Sequence, residues 1–509
     1  MGGSERDIHR RAKKGIRLLL VRQGFLQVFT FLGGVVLARV LSPADFGVFG
    51  ITTFLVGVLA LFADFGMSPA LIQRKRELSE RDLQVGFTMQ QALVLVVVVF
   101  VWLAAPWMAG FYPAHAMELE WLVRAMALNL YLGTWRSISA ISLERELRYE
   151  KLALIEVVES LSYQITAVVL AVMGFEVWSL VAAVLVRSLL GTVLIFRVAP
   201  WKVRFVYDPH TTLELLRFGI PFQVHRIVGN VRNWVTPTLV ASLIGADAVG
   251  FLMWASSNGR KPRNIIQNVV RVSLPHFSRI QDRSEEVTQI LRQYVLYFFV
   301  LCGGWLALLA SMGYPLVEVI YTAKWLPAVP ALILYAGLLN LNSVSWIIKT
   351  ALSGTGRVKY VMYVTMMTTV LSVSLSVGLV LEVGFIGVPV AEVVSMVLTV
   401  PVLAYGLLGK RWPSLFTSSL WVLGPLLASV AAGMGVRLLP IPQVAEALLG
   451  TVVVVGVYGG MTWLLAPSWL QRRLQGQWVN LKQRLLGRNR SGKDNNVVRE
   501  KEQSTVAGP

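Results

Sequence analysis

Apolar runs of about twenty residues recur along the whole chain and constrain its fold more than any other feature. A helix of about twenty residues spans roughly 30 Å, the thickness of the hydrocarbon core of a bilayer. The runs therefore predict an all-α membrane protein with about fourteen transmembrane helices. The predicted spans are residues 16–39, 46–66, 86–106, 119–141, 154–173, 176–197, 215–242, 247–273, 287–311, 327–353, 357–381, 385–407, 416–437 and 444–466.

Composition agrees with a bilayer as the solvent. Hydrophobic residues make up 55% of the 509 residues, charged residues make up 15%, and the mean hydropathy is +0.62. A soluble protein usually carries about 25% charged residues, so a chain this apolar cannot hide its excess in one water-soluble core. The first apolar run is too long for a signal peptide and no small-residue cleavage site follows it, which predicts a retained first helix.

Basic residues alternate from loop to loop, and this pattern gives an independent test of the predicted spans. Arginine and lysine favour the cytoplasmic side of short loops. With both termini in the cytoplasm, the opposite loops hold only Arg39, Lys324 and Arg437. The net charge of +19 is therefore interpreted as topology and attraction to anionic lipids. Nucleic-acid binding is the weaker interpretation, because the basic residues are dispersed over many loops.

Signatures of covalent chemistry are sparse. The single cysteine, Cys302, cannot form a disulfide or a cysteine-based metal site alone, and the five histidines show no ligand spacing. The sequence also has no Walker-type phosphate loop, which argues against ATP hydrolysis by this chain. We therefore predict no catalytic residue, no metal and no cofactor.

A faint internal repeat joins the two halves of the sequence. The segment LSPADFG at residues 41–47 follows the first predicted helix, and LIGADAVG at residues 243–250 follows the seventh. Both predict a tight turn between helices. Duplications of this kind build many transporters, which place their substrate between the halves.

Six motif regions occur in order along the chain. They are LARVLSPADFG at 37–47, FADFG at 62–66 with ALIQR at 70–74, ERELRY at 144–149, GFEVWSLV at 174–181, LPHFSRIQD at 274–282 and GTGR at 354–357. In order and spacing they resemble the lipid-linked oligosaccharide flippases of the multidrug/oligosaccharidyl-lipid/polysaccharide exporter superfamily. The colanic-acid-exporter-like branch is nearest, and the resemblance is strongest over residues 37–181.

This resemblance implies a two-lobed transporter around a central cavity. Residues 1–200 would form an N-terminal lobe, 201–410 a C-terminal lobe, 411–466 two additional helices, and 467–509 a basic, largely disordered cytoplasmic tail. The family moves undecaprenyl-pyrophosphate-linked oligosaccharides from the cytoplasmic to the outer leaflet of the bacterial inner membrane, for lipopolysaccharide, capsule or exopolysaccharide biosynthesis. Alternating access, a polysaccharide polymerase as partner and a coupling ion, proton or sodium, belong to the same expectation.

Charged residues inside the spans are the candidate site. A charge at the bilayer centre costs on the order of 3 kcal/mol, so it usually faces protein or water. Arginine grips the oxygens of a pyrophosphate with paired hydrogen bonds, and cations outnumber carboxylates in the spans. The candidate cavity cations are Arg226, Arg232, Arg22, Arg136, Arg187 and Lys349.

Each candidate cation has a structural alternative. Arg22 could extend its charge to the membrane surface, and Arg136 or Arg187 could pair with Glu156 or Glu159. Those two glutamates are three residues apart and share a helix face, which also makes them candidates for ion coupling. The dense group Arg260, Lys261 and Arg263 suggests a broken or cytoplasmically exposed helix, better suited to binding phospholipid or loops than substrate.

Two other functions stay open from the sequence. A drug or small-cation exporter on the same fold should have a cavity dominated by carboxylates. A membrane polymerase or glycosyltransferase should have a sizeable outer loop or an acidic metal-binding motif.

Overall fold

The computed structural model describes residues 24–64, 71, 79–146, 148–281, 283–467 and 471, and these contain helices and turns but no strand. The α-helices, in chain order, are α1 Gly24–Val40, α2 Pro43–Asp64, α3 Glu80–Gly110, α4 Ala116–Trp135, α5 Ser137–Arg145, α6 Tyr149–Val172, α7 Glu176–Val198, α8 Pro209–Ile244, α9 Ala246–Gly259, α10 Arg263–Arg279, α11 Ser284–Tyr321, α12 Val329–Gly354, α13 Val358–Val383, α14 Gly387–Leu408, α15 Ser414–Thr417, α16 Leu423–Arg437 and α17 Gln443–Leu465. The prediction of an all-helical protein is confirmed for this part of the chain.

Nine helical segments within the described ranges are long and apolar enough to cross a bilayer, and the shorter Gly24–Val40 is apolar as well. The total of about fourteen spans stays a prediction. Predicted span eight, 247–273, is wrong as a single helix, because α9 ends at Gly259 and α10 begins at Arg263. Pro262 lies between them, and proline lacks the N–H that would continue the helical hydrogen bonding.

Local sequence signals fix several helix ends. Ser79 and Asp82 form a capping box at the start of α3, with Ser79 N–H donating to Asp82 Oδ2 at 3.0 Å. Asp208 caps α8, and hydrogen bonds from Thr211 hold the pKa of its carboxyl below the ordinary value. Gly245 separates α8 from α9 at φ +102°, a conformation that favours glycine.

The helices pack in two groups. In the first helix group, α1 to α7, α6 packs on α7, α3 on α4, and α2 on α3, α4 and α7, while α1 lies against α6 and α7. In the second helix group, α8 to α14, α11 packs on α12, α13 on α14, and α12 also contacts α9, α10 and α14. Helices α16 and α17 pack together against α11. The lobe boundaries at residues 200, 410 and 466 stay predictions.

The two groups meet in a contact that we call the seam, formed by residues 38–47, 246–250 and 319–325. They also meet where α8 packs on α2 and α3, and there Gln223 Nε2 donates to Leu61 O at 2.5 Å. Helices α2 and α9 pack closely at the seam.

A Cβ added at Gly47 would overlap the carbonyl oxygen of Ala246, and a Cβ at Gly250 would overlap that of Pro43. The two segments of the faint repeat are therefore packed against each other. Each segment needs a glycine at the point where the backbone of the other segment comes close.

Side chains also join the groups across the seam by capping helix ends. Arg39 donates from Nε to Ile320 O at 2.7 Å and from Nη2 to Val319 O at 2.5 Å, at the end of α11. Lys324 Nζ donates in return to Arg39 O at 2.8 Å and to Leu41 O at 2.6 Å, at the end of α1. Cations at the carbonyl end of a helix satisfy orphan acceptors and match its dipole.

An aromatic cluster lies under the seam and belongs to the largest buried core. Trp325 is fully buried and donates to Ala38 O at 2.8 Å. Its ring stacks on Trp254 at 5.0 Å and meets Phe46 edge-on at 5.4 Å. This cluster closes the space between the groups at the seam end.

Candidate functional site

Several neighbouring cavities lie around α9 in the described part of the chain, and Ser257 lines the three that we call A, B and C. A further cavity of about 340 Å³, lined by Trp254, Asn258 and Lys261, lies beside them between α1, α9 and α11. Cavity A, about 440 Å³, lies between α1 and the α9–α10 turn. Cavity B, about 320 Å³, is enclosed by α8, α9, α12 and α14 of the second helix group. Cavity C, about 270 Å³, lies between α9 and helices α1, α2, α6 and α7 of the first helix group. A ligand that filled A and C would contact both groups.

Cavity A is basic because the break between α9 and α10 brings cations into its wall. Arg260, Lys261 and Arg263 all line it. The Lys261 ammonium lies 5.1 Å from the centre of the Phe31 ring, and no carboxylate of a described residue forms an ion pair with it. The Arg263 guanidinium lies 5.5 Å from the centre of the Trp346 ring. Such a wall attracts anions, and the surrounding low dielectric strengthens the attraction.

Arg260 forms an ion pair within the second helix group. Its Nη2 lies 2.7 Å from Glu392 Oε2, and its guanidinium stacks 4.4 Å from the centre of the Tyr335 ring. Trp305 Nε1 donates to the Gly259 carbonyl at 2.8 Å, which caps the end of α9 beside this pair. Glu392 also lines cavity B, and Lys261 is the cation of this turn for which no carboxylate of a described residue forms an ion pair.

Cavity C presents aromatic rings and amides. Tyr321 O–H donates to Asn258 Oδ1 at 3.0 Å, and Asn258 Nδ2 donates to Trp254 O at 2.9 Å. Gln164 Nε2 donates to the Thr30 carbonyl at 3.3 Å. Gln164 Oε1 and Trp254 Nε1 are buried and have no hydrogen-bond partner among the described residues.

Two of the predicted cavity cations form an ion-pair cluster inside the first helix group. Arg136 Nη1 lies 2.5 Å from Glu159 Oε1, and Arg187 Nε lies 3.6 Å from Glu159 Oε2. The Glu159 side chain is only 1% exposed. A Cβ at Gly191 would overlap this carboxylate, so glycine provides the room for the pair. The pairing alternative is therefore present in the structure, and substrate binding by Arg136 and Arg187 stays a prediction, as does ion coupling by Glu159.

The remaining candidates are placed less directly. Lys349 is half-buried on α12, three residues after Trp346, and has an interaction partner, as does Glu156 on α6. Arg226 and Arg232 lie on α8, and the structure describes the backbone at these two positions but not the side chains. Arg22 also lies outside them. Substrate binding and ion coupling by these residues stay predictions.

Sequence reasoning set aside the cations that line cavity A. The signal was visible in the sequence as the dense group Arg260, Lys261 and Arg263, which suggested a broken or cytoplasmically exposed helix. Sequence reasoning favoured phospholipid or loops as the partner, because the sequence does not show that the break faces α1 across a cavity. The orphan groups Gln164 and Trp254 gave no sequence signal, since buried glutamine and tryptophan are ordinary in helix interiors.

Comparisons with known proteins agree on family and fold. A family model described as polysaccharide biosynthesis protein matches residues 36–330, more than half of the chain. Succinoglycan biosynthesis transport protein ExoT of Rhizobium meliloti (strain 1021) is 25% identical over 308 residues, which are 60% of this chain and 61% of that protein. Lipopolysaccharide biosynthesis protein WzxC of Escherichia coli (strain K12) is 24% identical over 332 residues, 64% of this chain and 66% of that protein. The chain thus spans about three fifths of the length of ExoT.

Solved structures show the same fold. Lipid II flippase MurJ in an inward closed conformation aligns with a TM-score of 0.72 at 15% identity, covering 88% of this chain and 98% of that one. An inward-facing multidrug resistance MATE family transporter of the MOP superfamily aligns with a TM-score of 0.59 at 15% identity, covering 79% and 99%. With its apolar helices, this architecture makes the chain a multi-pass membrane protein.

Proposed function

Because the chain belongs to the family of polysaccharide biosynthesis proteins, we propose that it flips undecaprenyl-pyrophosphate-linked oligosaccharides from the cytoplasmic to the outer leaflet of the bacterial inner membrane. The observation that carries this proposal is the basic wall of cavity A, between two helix groups in a MurJ-like fold. Both termini would lie in the cytoplasm, as the basic loops predict. The names of ExoT and MurJ, a transport protein and a lipid II flippase, support transport rather than catalysis.

The pyrophosphate would bind at the α9–α10 turn. Lys261 has no carboxylate partner among the described residues, so its charge is available to an anion. Arg263 lies on the same wall, and an anion would compete there with the interactions that its guanidinium already makes. Arg260 is held by Glu392, and an anion would have to compete with that carboxylate. Lys261 is therefore the residue expected to contribute most to binding of the head group.

Transport would proceed by alternating access without covalent chemistry. The lipid would enter from the cytoplasmic leaflet, and the two helix groups would then rock, so that the seam opens and cavity A closes. The prenyl chain would stay in lipid throughout, which avoids a desolvation cost of about 0.8 kcal/mol for each CH₂. A polysaccharide polymerase as partner and a proton or sodium ion for coupling are part of the proposal, supported by the family resemblance alone.

A proteoliposome assay tests this function. A fluorescent undecaprenyl-pyrophosphate oligosaccharide is placed in the leaflet that corresponds to the cytoplasm, and its protection from a membrane-impermeant quencher is followed. Lys261→Met should slow the transfer roughly tenfold or more, because a hydrogen bond to a charged group contributes about 1.5–3 kcal/mol. The exposed Lys359 provides the matched control, and Lys359→Met should transfer at the wild-type rate.

Two results would count against the proposal. Absence of transfer by the wild-type protein with native substrate and an imposed ion gradient would contradict the flippase function. Equal rates for Lys261→Met and wild type would remove cavity A from the mechanism. A drug or small-cation exporter is disfavoured by the same geometry, because the carboxylate of Glu392 is already paired with Arg260.

A further inference from the structure

One residue of the α9–α10 turn borders two cavities. Arg260 lines cavity A beside Lys261 and Arg263, and it also lines cavity B within the second helix group. Its partner in cavity B is Glu392 of α14. The side chains of Arg260 and Glu392 keep 18% and 11% of their surface exposed, so neither is sealed off from the cavities. Arg260 therefore lies between a site for an external anion and a carboxylate of the protein itself.

The contact between Arg260 and Glu392 is suited to an exchange of partners. One hydrogen bond joins the two side chains in the described part of the chain, from Nη2 to Oε2 at 2.7 Å, whereas the strongest arginine–carboxylate pairs have two parallel bonds. The backbone beneath the arginine is fixed, because Trp305 Nε1 donates to the Gly259 carbonyl at 2.8 Å and a Cβ at Gly259 would lie 2.7 Å from the Leu332 carbonyl oxygen. The long side chain of Arg260 can therefore turn to another anion while the turn stays in place.

Arg260 is the cation that faces Glu392 among the described residues. The ionisable residues that line cavity B are these two and Tyr335. Helix α14 packs on α12, α13 and the turns at residues 384–386 and 409–411, and α9 also walls the cavity. The other charged residues of these elements do not line it, and they are Asp247, Lys349, Lys359, Glu382, Lys410 and Arg411. On α8, the nearest described charge is Arg217, twenty residues before Pro237 in the cavity wall.

A carboxylate placed in this way takes up a proton when its cation leaves. A nearby opposite charge stabilises the ionised form of a carboxyl group, and burial stabilises the neutral form. If Arg260 turns to an anion in cavity A, Glu392 keeps its burial and loses its cation. A proton from water then binds to a carboxylate oxygen of Glu392, so that one O–H bond forms and no buried charge is left unpaired.

We propose that Glu392 is a built-in competitor of the head group for Arg260, and that the anion and a proton bind to the protein together. The proposal rests on the proposed function, in which a lipid pyrophosphate occupies cavity A. In the free protein Glu392 holds Arg260. In the lipid-bound protein Arg260 contacts the pyrophosphate and Glu392 carries a proton. Because such linkage is reciprocal, a lower pH strengthens lipid binding, and bound lipid strengthens proton binding.

Calorimetry on the full-length protein in nanodiscs tests this linkage. The probe is undecaprenyl pyrophosphate that carries one hexose, because each of its phosphates keeps only a strongly acidic hydroxyl that does not titrate near neutral pH. Titrations in buffers of different ionisation enthalpy give the number of protons taken up for each lipid bound. The wild-type protein should take up a proton, and its affinity should rise by up to about tenfold for each unit by which the pH falls.

Two variants should remove the proton uptake and shift the affinity differently. Glu392→Gln should take up no proton and bind the lipid about tenfold more tightly at neutral pH, because its amide competes for Arg260 without a charge. Arg260→Gln should also take up no proton, because Glu392 has no cation to lose, but it should not bind more tightly than the wild type. General damage to the protein would weaken binding in both variants.

The matched control removes a carboxylate from another arginine pair. Glu446 has an 18% exposed side chain and lies 3.6 Å from Arg437, on the helices α16 and α17. Glu446→Gln should keep the proton uptake and the affinity of the wild type. The thermal unfolding midpoint of each variant establishes that it is folded, and the proton count of the wild-type protein needs no variant at all.

The outcomes separate this proposal from the proposed function. Lipid binding by the wild type without proton uptake, or with proton release, would overturn the linkage and leave the flippase function intact. Proton uptake that persists in Glu392→Gln would assign the proton to another group, such as the half-buried Lys261 in cavity A, and would also overturn it. Weaker binding by Glu392→Gln would contradict the competition. Failure of the wild type to bind the lipid would overturn both proposals.

Discussion

Replacing Lys324 by methionine should shift the protein towards a conformation with the seam open. Methionine keeps the unbranched, apolar part of the side chain and removes two hydrogen bonds, at 2.8 and 2.6 Å, to carbonyls at the end of α1. Charged hydrogen bonds contribute about 1.5–3 kcal/mol each when protected from water, but Lys324 is only half-buried and water can replace it at these carbonyls. We expect a net loss of about 1–2 kcal/mol, which changes the ratio of closed to open molecules about five- to thirtyfold.

Electron spin resonance can measure this ratio. Spin labels at Met117, at the start of α4, and Val383, at the end of α13, report across the seam end from exposed positions on the two helix groups. Cys302 is the single cysteine and is buried, so a Cys302→Ala background leaves only the introduced sites reactive. The wild-type protein should give one main short distance, and Lys324→Met should add a longer one.

The control is Arg437, a cation that lies 5.7 Å from the centre of the Tyr314 ring on α11 and, among the described residues, makes no bond between the two helix groups. Arg437 Nε lies 3.6 Å from Glu446 Oε1, and this pair joins α16 to α17. Arg437→Met should therefore leave the distances unchanged. Adding Arg39→Gln to Lys324→Met should enlarge the long-distance fraction, since Arg39 makes its own two bonds to α11. An unchanged distribution of label distances in the folded double variant would refute the idea that the seam is the contact that opens.

Two further predictions concern buried charges. Gly191→Ala should lower the thermal unfolding midpoint, because the new Cβ overlaps Glu159 and forces its ion pairs apart. The control is Gly133→Ala, where the new Cβ meets open space. Apart from a small effect of helix propensity, this control should unfold like the wild type. Arg260→Gln should lower the midpoint more than the double variant Arg260→Gln with Glu392→Gln, because the single change leaves a carboxylate unpaired, at a cost of about 3–5 kcal/mol. Equal midpoints for the single and double variants would contradict this.

Much of the helical layout could be read from the sequence because it depends on local signals. Apolar length predicts a membrane helix wherever the run is uninterrupted, as in α7, predicted at 176–197 and observed at Glu176–Val198. Apolar length alone was wrong at 247–273, where the helix breaks at Pro262, although the dense cations there had suggested a broken helix. The faint repeat was interpreted as two turns. Its packing across the seam could not be predicted, since no local signal brings Gly47 to Ala246.

The candidate site was harder to predict because it depends on which helix faces which. Arg136 and Arg187 have the same sequence signal as Lys261, a cation within or beside an apolar run. The structure gives the first two a shared carboxylate, Glu159, and gives Lys261 an aromatic ring and a cavity. The difference lies in the partner, about 23 residues from Arg136 and 28 from Arg187 along the chain, and a single sequence does not give such contacts.

The cavities and the seam share two rigid elements, and this couples them. Along α9, the seam residue Gly250 and the cavity residue Ser257 are seven positions apart, roughly 10 Å on one helix. Along α1, Thr30 lines cavities A and C, and the same helix ends at the seam. A ligand shifts the balance of two conformations only through its different affinity for them.

Lys261→Met should therefore leave the label distances of the lipid-free protein unchanged and abolish the shift caused by adding lipid. Lys324→Met should instead alter the distances without any lipid. If both variants acted identically on the lipid-free protein, the cavity and the seam would be parts of one structural contact, and binding could not drive the opening.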